Sequence, residues 1–326
     1  MVNWEKFQGP SFVWDDYVSG FPGGFYQTYG WGEVRRVAGW LPMRILARRG
    51  AKVVALANIL VKQKFGVAVC WIPGGPLGDA ELLNSEFRKA LRFLLGTSFF
   101  YCRINILRSD NGNEASFLYD AGWRRPQTAM TSGLTMIYPL MGNEGERLGR
   151  ASVNWRHNLK RSKRHDLVIE HWKNPDIDAI IALYREMESL KSIPIQLSSE
   201  ELKAILEHCE KQVILYRCQD VDGRLLAIRA AGVCGLSAMD LLAVAGKDAR
   251  KVYASYATLW ALLDHCNMLG LYEYDLSGVD PAGNKGVFDF KLGTGASVTR
   301  CLGEWEMSSF FGLRYAFNWL VRRKAQ

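Results

Sequence analysis

One segment concentrates the residue types that acyl or phosphate chemistry needs. It reads Tyr274-Asp275-Leu276-Ser277-Gly278-Val279-Asp280, continues through Gly283 and Gly286, and ends Phe288-Asp289-Phe290-Lys291-Leu292-Gly293-Thr294-Gly295. The pattern predicts a buried strand that leaves into a glycine-dense loop, then a short helical turn bearing two aromatics and a lysine. Glycine lets a backbone approach a ligand closely and take positive φ. A lysine so placed offers a fixed positive charge to a developing oxyanion or to phosphate. The same residues also suit a surface loop between two strands, with Phe288 and Phe290 plugging a core, and spacing alone leaves both readings open.

A second stretch is marked by charge. No acidic residue occurs from Arg147 to His165, where Arg147, Arg150, Arg156, Lys160, Arg161, Lys163 and Arg164 crowd together. At helical spacing Arg156, Lys160 and Lys163 share a face, with Arg164 adjacent. Like charges this close repel, so an anionic partner such as a tRNA acceptor stem or a diphosphate would relieve them; a solvated basic helix is the other reading. The net charge of +8 also points to RNA, a phosphorylated substrate or an acidic membrane surface.

Other chemistries lack their residues. The seven cysteines are an odd number, and none are spaced as a metal knuckle or redox pair, so buried free thiols in a reducing compartment are expected. His157, His165, His171, His208 and His265 form no i, i+4 pair with a carboxylate partner, so no metal is expected. Neither a Gly-x-Ser-x-Gly elbow nor a Walker loop occurs. Hydrophobic residues at 48% and charged residues at 23% give ordinary globular composition. No apolar run approaches the roughly 20 residues that span a bilayer. Met1-Val2-Asn3-Trp4-Glu5 does not read as a signal peptide, so a cytoplasmic place is expected, with the inner face of the membrane as a variant of it. That variant comes from the last helix, where Phe310, Phe311, Tyr315 and Trp319 precede Arg322-Arg323-Lys324. It suits a membrane-surface anchor or packing on the first half of the chain.

At 326 residues the chain is comfortable for two cores. The first half predicts a helix over 25–38, strands at 41–49, 52–62 and 67–72, a helix capped by Asn84 or Ser85, a strand at 99–107, a helix at 113–121 and a strand at 130–138. The polar, Gly-rich 141–150 is taken as the boundary. The second half predicts a basic helix at 151–165, a strand at 167–172, helices at 175–190 and 199–210, and an antiparallel meander at 212–218, 224–234 and 237–245. A helix at 255–269, strands at 271–276 and 297–305, and a last helix at 308–323 follow. Element order, and not residue identity, repeats between the halves.

The residues Tyr256 and Trp260, then Tyr274, Asp275, Gly278, Gly286, Phe290, Lys291 and Gly293, resemble the FemABX family of non-ribosomal peptidyl transferases. The chain departs from that pattern at Leu276, Ser277 and Thr294. Two looser stretches, Gln27 through Trp31, Arg35, Arg36 and Trp40, and Asn154 through Arg156, Asn158 and Lys160, are also similar. The resemblance implies a mixed α/β fold of two tandem GNAT-like domains with mostly antiparallel sheets, facing each other across a cleft. It implies that the last helix returns to the first domain, giving domains 1–148 plus 306–326 and 149–305. It further implies transfer of an aminoacyl group from aminoacyl-tRNA, as co-substrate and without a resident cofactor, to an amine of a nucleotide- or lipid-linked, peptidoglycan-type envelope precursor. Lys291 would stabilise the oxyanion and Phe290 would shape the pocket at the tRNA end. Arg35 or Arg36 would hold acceptor phosphate, and Arg156, Lys160, Lys163, Tyr256, Asp275 and Gly278 would contact substrates. Asp275 suits a general base or, as strand-end aspartates often do, a partner for backbone amides.

Donor and acceptor can be argued further. GNAT acetyltransferases grip the coenzyme A diphosphate on the amides of a glycine-containing turn that opens a helix. Here the corresponding stretch is Arg250-Lys251-Val252-Tyr253-Ala254-Ser255, with a tyrosine where the first glycine should be, which disfavours acetyl-CoA. Ser192-Ile193-Pro194-Ile195-Gln196 stands where well-studied members carry a diphosphate-gripping arginine, and Arg103-Ile104-Asn105-Ile106 replaces the usual Arg-Ile-Asp/Glu-Pro. Both departures count against a peptidoglycan precursor as acceptor. The rival readings are an acyl-CoA-dependent N-acyltransferase acting on a polysaccharide or amino sugar, and a non-catalytic tRNA- or RNA-binding protein of the same fold.

Overall fold

The computed structural model describes residues 2–110, 112–191, 195 and 197–325. In chain order the strands are β1 (Asn3–Lys6), β2 (Leu41–Arg49), β3 (Lys52–Lys64), β4 (Val67–Pro73), β5 (Leu77–Gly78), β6 (Phe99–Ser109), β7 (Leu134–Pro139), β8 (Val168–His171), β9 (Val213–Gln219), β10 (Leu225–Cys234), β11 (Ser237–Ala245), β12 (Glu273–Asp275) and β13 (Ser297–Ser308). The helices are α1 (Ser11–Ser19), α2 (Tyr29–Val34), α3 (Ser85–Leu95), α4 (Glu114–Asp120), α5 (Glu144–Arg150), α6 (Val153–Ser162), α7 (Ile177–Lys191), α8 (Ser199–His208), α9 (Ala254–Met268), α10 (Lys285–Leu292) and α11 (Phe311–Ala325). Two compact units result: residues 1–134 with 300–326, and residues 135–299. The stretch 192–196, where the family arginine is missing, lies outside the described residues except for Ile195 and carries no structural account.

Each unit repeats one plan. In the first, β1, β2, β3 and β4 pair antiparallel in succession, β6 joins β4 in parallel, and β13 joins β6 antiparallel. In the second, β8, β9, β10 and β11 pair antiparallel, β12 joins β11 in parallel, and β7 joins β12 antiparallel. The single parallel pair of each unit is bridged by a helix, α3 in one and α9 in the other, because parallel strands need a crossover. α3 forms where Phe87, Leu91 and Leu95 recur at helical spacing; the Asn84 side chain caps its start and Gly96, at φ 62°, ends it. α9 buries Leu259, Trp260, Leu262, Leu263 and Cys266 on several sides, as a central helix must.

Four sequence expectations need correction. The single helix expected over 25–38 is a 3-10 turn, the short α2 and a second 3-10 turn, ended by Gly39 at φ 75°. The strand expected from residue 130 begins at Leu134, and that expected over 271–276 is only Glu273–Asp275. The polar stretch taken as the boundary is helical: the Asn143 side chain accepts from the Glu146 amide and the Glu146 carboxylate accepts from the Asn143 amide, so Asn-x-x-Glu is a capping box and α5 follows. All seven cysteines are buried thiols.

α11 is held to the first unit by a buried polar contact. Asn318 donates to both carboxylate oxygens of Glu306, at 2.9 and 2.8 Å, and accepts from the Thr128 amide at 3.2 Å. Tyr101 donates to Glu306 at 2.8 Å, and the Phe317 ring stacks on the Tyr101 ring at 4.6 Å. Burial pushes the Glu306 carboxyl up, against the Tyr101 and Asn318 hydrogen bonds that favour its charge. Replacing Asn318 with alanine strips that carboxylate of a buried donor. The expected loss is about 1–3 kcal/mol in urea unfolding, with faster proteolysis within α11.

Candidate functional site

Within the second unit, strand order brings six polar side chains of the apolar strands and the following loop to one place. Arg229 of β10 donates through Nε to Asp240 of β11 at 2.8 Å and closes a second bond through its guanidinium, and Tyr274 of β12 donates to the same carboxylate at 2.8 Å. All three side chains are buried. Beside Asp240 the β10–β11 register slips by one residue, so that Ala230 pairs with Leu242 and Ala231 with Asp240. Such bulges re-aim side chains. At the end of β12, Asp275 and the loop after it continue the network. The Asp275 carboxylate accepts from Thr135 of β7 and from the Ser277 amide at 2.7 Å, and the Ser277 hydroxyl donates to the Asp240 carbonyl at 2.7 Å.

Lys291 meets this turn from α10. Its ammonium donates to the carbonyls of Gly278 at 2.9 Å and Ser277 at 3.3 Å, and the residue is only 8% exposed. Two of its three N–H groups are thereby directed by main-chain carbonyls. Burial lowers its pKa, with Asp240 and Asp275 acting against the shift and Arg229 with it. Burial likewise raises the Asp275 carboxyl, opposed by its bonds from Thr135 and Ser277.

The turn depends on unusual backbone. Ser277 takes φ 63°, the left-handed region that favours glycine. It stands where the FemABX pattern has glycine, and its hydroxyl bond to Asp240 offsets the strain. After α10, Gly295 at φ 91° lets the chain pass the Arg150 carbonyl, which a Cβ there would meet at 2.6 Å.

Aromatic rings wall the place. Phe290 lies against Tyr256 at 5.0 Å and Trp155 at 6.3 Å between centroids, and the Arg229 guanidinium sits 5.7 Å over its ring. Asn158 donates to the Tyr256 hydroxyl at 3.1 Å. The Trp155 Nε1 donor is buried and finds no protein partner among the described residues. Lys291, Phe290, Tyr256, Asp275 and Gly278 are therefore neighbours. The observed Asp275 bonds match the amide-satisfying reading named for it.

The basic stretch is not one surface. Lys160 of α6 and Lys163 at its C-cap are exposed while Trp155 and Leu159 are buried, and Arg156 is half-buried within 3.4 Å of the Leu148 and Gly149 carbonyls. Arg147, expected in the same crowd, is instead buried, bound to Asp264 and 5.2 Å from the Trp260 ring. Arg150 is spent on the Pro139 and Met141 carbonyls. In the first unit, Arg36 is exposed and paired with Glu33, and Arg35 lies 5.9 Å over the Trp31 ring. Arg103 there is buried against Glu304.

Tyr253 stands at the start of α9 with φ 58°. Its hydroxyl accepts from Arg161 at 3.0 Å, and the Arg161 guanidinium also lies 5.6 Å from its ring. The Ala254 amide is already bonded to the Ala249 carbonyl at 2.9 Å. The Tyr253 hydroxyl and the Ala254 amide are thus both already bonded within the second unit. Among the described residues no three His, Cys, Asp or Glu side chains gather as a metal site.

Sequence reading missed Arg229, Asp240, Thr135 and Trp155. A signal was present for two of them: an arginine inside Leu225–Cys234 and an aspartate inside Ser237–Ala245 are charges in otherwise apolar strands, and buried charges come paired.

No protein-family model matches the chain, and no curated protein matches it by sequence. Solved structures do. The crystal structure of FemX superposes with a TM-score of 0.77 at 16% identity, covering 93% of this chain and 96% of FemX. The C-terminal domain of a putative lysylphosphatidylglycerol synthetase from Agrobacterium fabrum gives 0.57 at 15% identity, covering 94% of both chains. A tandem GNAT protein from the clavulanic acid biosynthesis pathway gives 0.55 at 10% identity, covering 95% of this chain and 99% of that one. The fold is the tandem GNAT-like fold that FemX has, in agreement with the resemblance read in residues 256–293.

The Arg229–Asp240 pair yields a direct test. Arg229→Met leaves the Asp240 carboxylate buried with Tyr274 alone. We expect about 3–5 kcal/mol of lost stability in urea unfolding, and most of it restored in Arg229→Met/Asp240→Leu.

Proposed function

We propose that the chain is an aminoacyltransferase that moves an aminoacyl group from aminoacyl-tRNA to an amine of a cell-envelope precursor at the Lys291 site. The observation that carries this reading is the buried Lys291 ammonium, directed by two main-chain carbonyls beside the Phe290–Tyr256–Trp155 wall. The acceptor amine attacks the ester carbonyl of the donor. A C–N bond forms, negative charge collects on the carbonyl oxygen, and the C–O bond then breaks to release the tRNA hydroxyl, which takes up the proton lost by the amine. The third N–H of Lys291 meets the oxyanion. In a desolvated place one such donor is worth about 10²–10³ in rate.

Support for the donor comes from charge and from the turn at Tyr253. Lys160 and Lys163 present exposed positive charge suited to the phosphates of a nucleic acid. Against acetyl-CoA as donor counts Tyr253, bonded by Arg161, at the place where the acetyltransferase turn has its first glycine. The acceptor is assigned only by chemical class, as a nucleotide- or lipid-linked precursor bearing a free amine. Arg35, beside the Trp31 ring, and Arg36, paired with Glu33, are both kept as candidates for acceptor phosphate.

Radiolabelled aminoacyl-tRNAs and acetyl-CoA, offered separately with envelope precursors as acceptors, test the donor. Label is expected to pass from aminoacyl-tRNA; passage from acetyl-CoA alone would overturn the assignment. Lys291→Met is expected to cut transfer by about 10²–10³ while the protein stays folded.

The pH profile follows from the lowered Lys291 pKa. The charged ammonium is the useful form, and raising the pH through that lowered value removes it. The alkaline fall in rate should therefore begin below the ordinary lysine value of 10.5. In Lys291→Arg the guanidinium stays charged, so a slower enzyme should lack that alkaline limb. An unchanged limb in the arginine variant would assign it to another group.

A further inference from the structure

One end of the first unit gathers exposed aromatics and positive charge from three separate segments. Phe65, at the tip of the β3–β4 hairpin, is 91% exposed, and Phe93 near the end of α3 is 85% exposed. Phe99, Phe310 and Phe311 are exposed as well, the last at 67%. These segments touch. Thr97 donates to the Gly66 carbonyl at 2.5 Å, Val67 pairs with Phe99 in register, and the Phe99 and Phe310 rings meet edge-on at 6.0 Å. Arg88 donates to the Ser308 carbonyl at 2.9 Å. Beyond Phe310, α11 packs on the opposite sheet face from α3: Phe317 and Asn318 meet Tyr101 and Glu306, while Phe87 and Leu91 pack with Phe100 and Cys102.

The charge around these rings has one sign. No acidic residue occurs from Val53 to Gly78, from Phe87 to Ser109 or from Met307 to Gln326. Lys64 lies 5.0 Å over the Phe65 ring and Arg323 lies 4.7 Å over the Trp319 ring. Lys62 and Arg92 belong to the same segments. No described helix is long and apolar enough to cross a membrane.

We propose that this end of the first unit docks on an anionic lipid surface. Protruding phenylalanines enter the headgroup boundary, and lysine and arginine meet lipid phosphates. A second copy of the chain would suit the surface poorly, because an isologous contact brings the same positive charges face to face. All these residues lie outside the Lys291 site, so the docking does not rest on the proposed transfer reaction.

Flotation with vesicles of phosphatidylcholine alone and of phosphatidylcholine with phosphatidylglycerol tests the proposal, and it uses no acyl donor. The full chain is expected to float with the anionic vesicles only, and less as salt rises. Phe65→Ser/Phe93→Ser and, separately, Lys62→Glu/Lys64→Glu are each expected to weaken partitioning by about 10-fold or more. Because these side chains are exposed, the variants should keep the parent's unfolding transition. Three results would overturn the proposal: no flotation of the folded parent at low salt, equal flotation of parent and both variants, or self-association that the same substitutions abolish in place of vesicle binding.

Discussion

A lysine ammonium taken out of water must be given oxygen atoms, and the arrangement of the second unit follows from that demand. Lys291 finds the carbonyls of Ser277 and Gly278. Those carbonyls face inward only because Ser277 adopts a left-handed backbone and hangs its hydroxyl on the Asp240 main chain. Asp240 is in turn held by Arg229 and Tyr274 from the strands on either side. The chain of support runs from three adjacent strands to one ammonium, so a charge in a low-dielectric place keeps a defined direction. Preorganised charge of this kind accelerates reactions because it need not reorganise when the transition state forms.

The positive charge of the chain divides into three uses that composition could not separate. Some of it is internal: Arg103, Arg147 and Arg229 are buried and paired with Glu304, the partly exposed Asp264 and Asp240. Some is exposed at Lys160 of α6 and at Lys163, its C-cap. A third share, with Lys62, Lys64 and Arg92, lies in the acid-free segments that carry the exposed phenylalanines of the first unit. A net charge of +8 therefore understates how strongly two separate surfaces can attract anions.

Much of the fold was readable because hydrophobic period and turn residues agree with it. β2, β3, the meander β9–β11 and helices α3 and α9 fall within a residue or two of expectation. α5 was missed because a polar, glycine-containing stretch hid a capping box, which satisfies amides through side chains and needs no apolar stripe. The strand leading to Asp275 was drawn too long, since Leu271 and Leu276 are buried without both belonging to a ladder. At the site, motif spacing placed Lys291, Phe290 and Gly278 together. It said nothing of Thr135, which is 140 residues from Asp275 in the chain and meets it only through β7–β12 pairing. It also gathered Arg147 with the surface lysines, because a run of like charge does not reveal which member turns inward to Asp264.

The central claim is that the Lys291 ammonium is buried, directed and available to a reacting carbonyl. Its side-chain titration, followed by NMR in specifically labelled protein with and without a non-hydrolysable aminoacyl-adenosine analogue, addresses this most directly. The account predicts a midpoint below that of the surface lysines, and a resonance that moves when the analogue binds. A Lys291 that titrates with the surface lysines and ignores the analogue would contradict it.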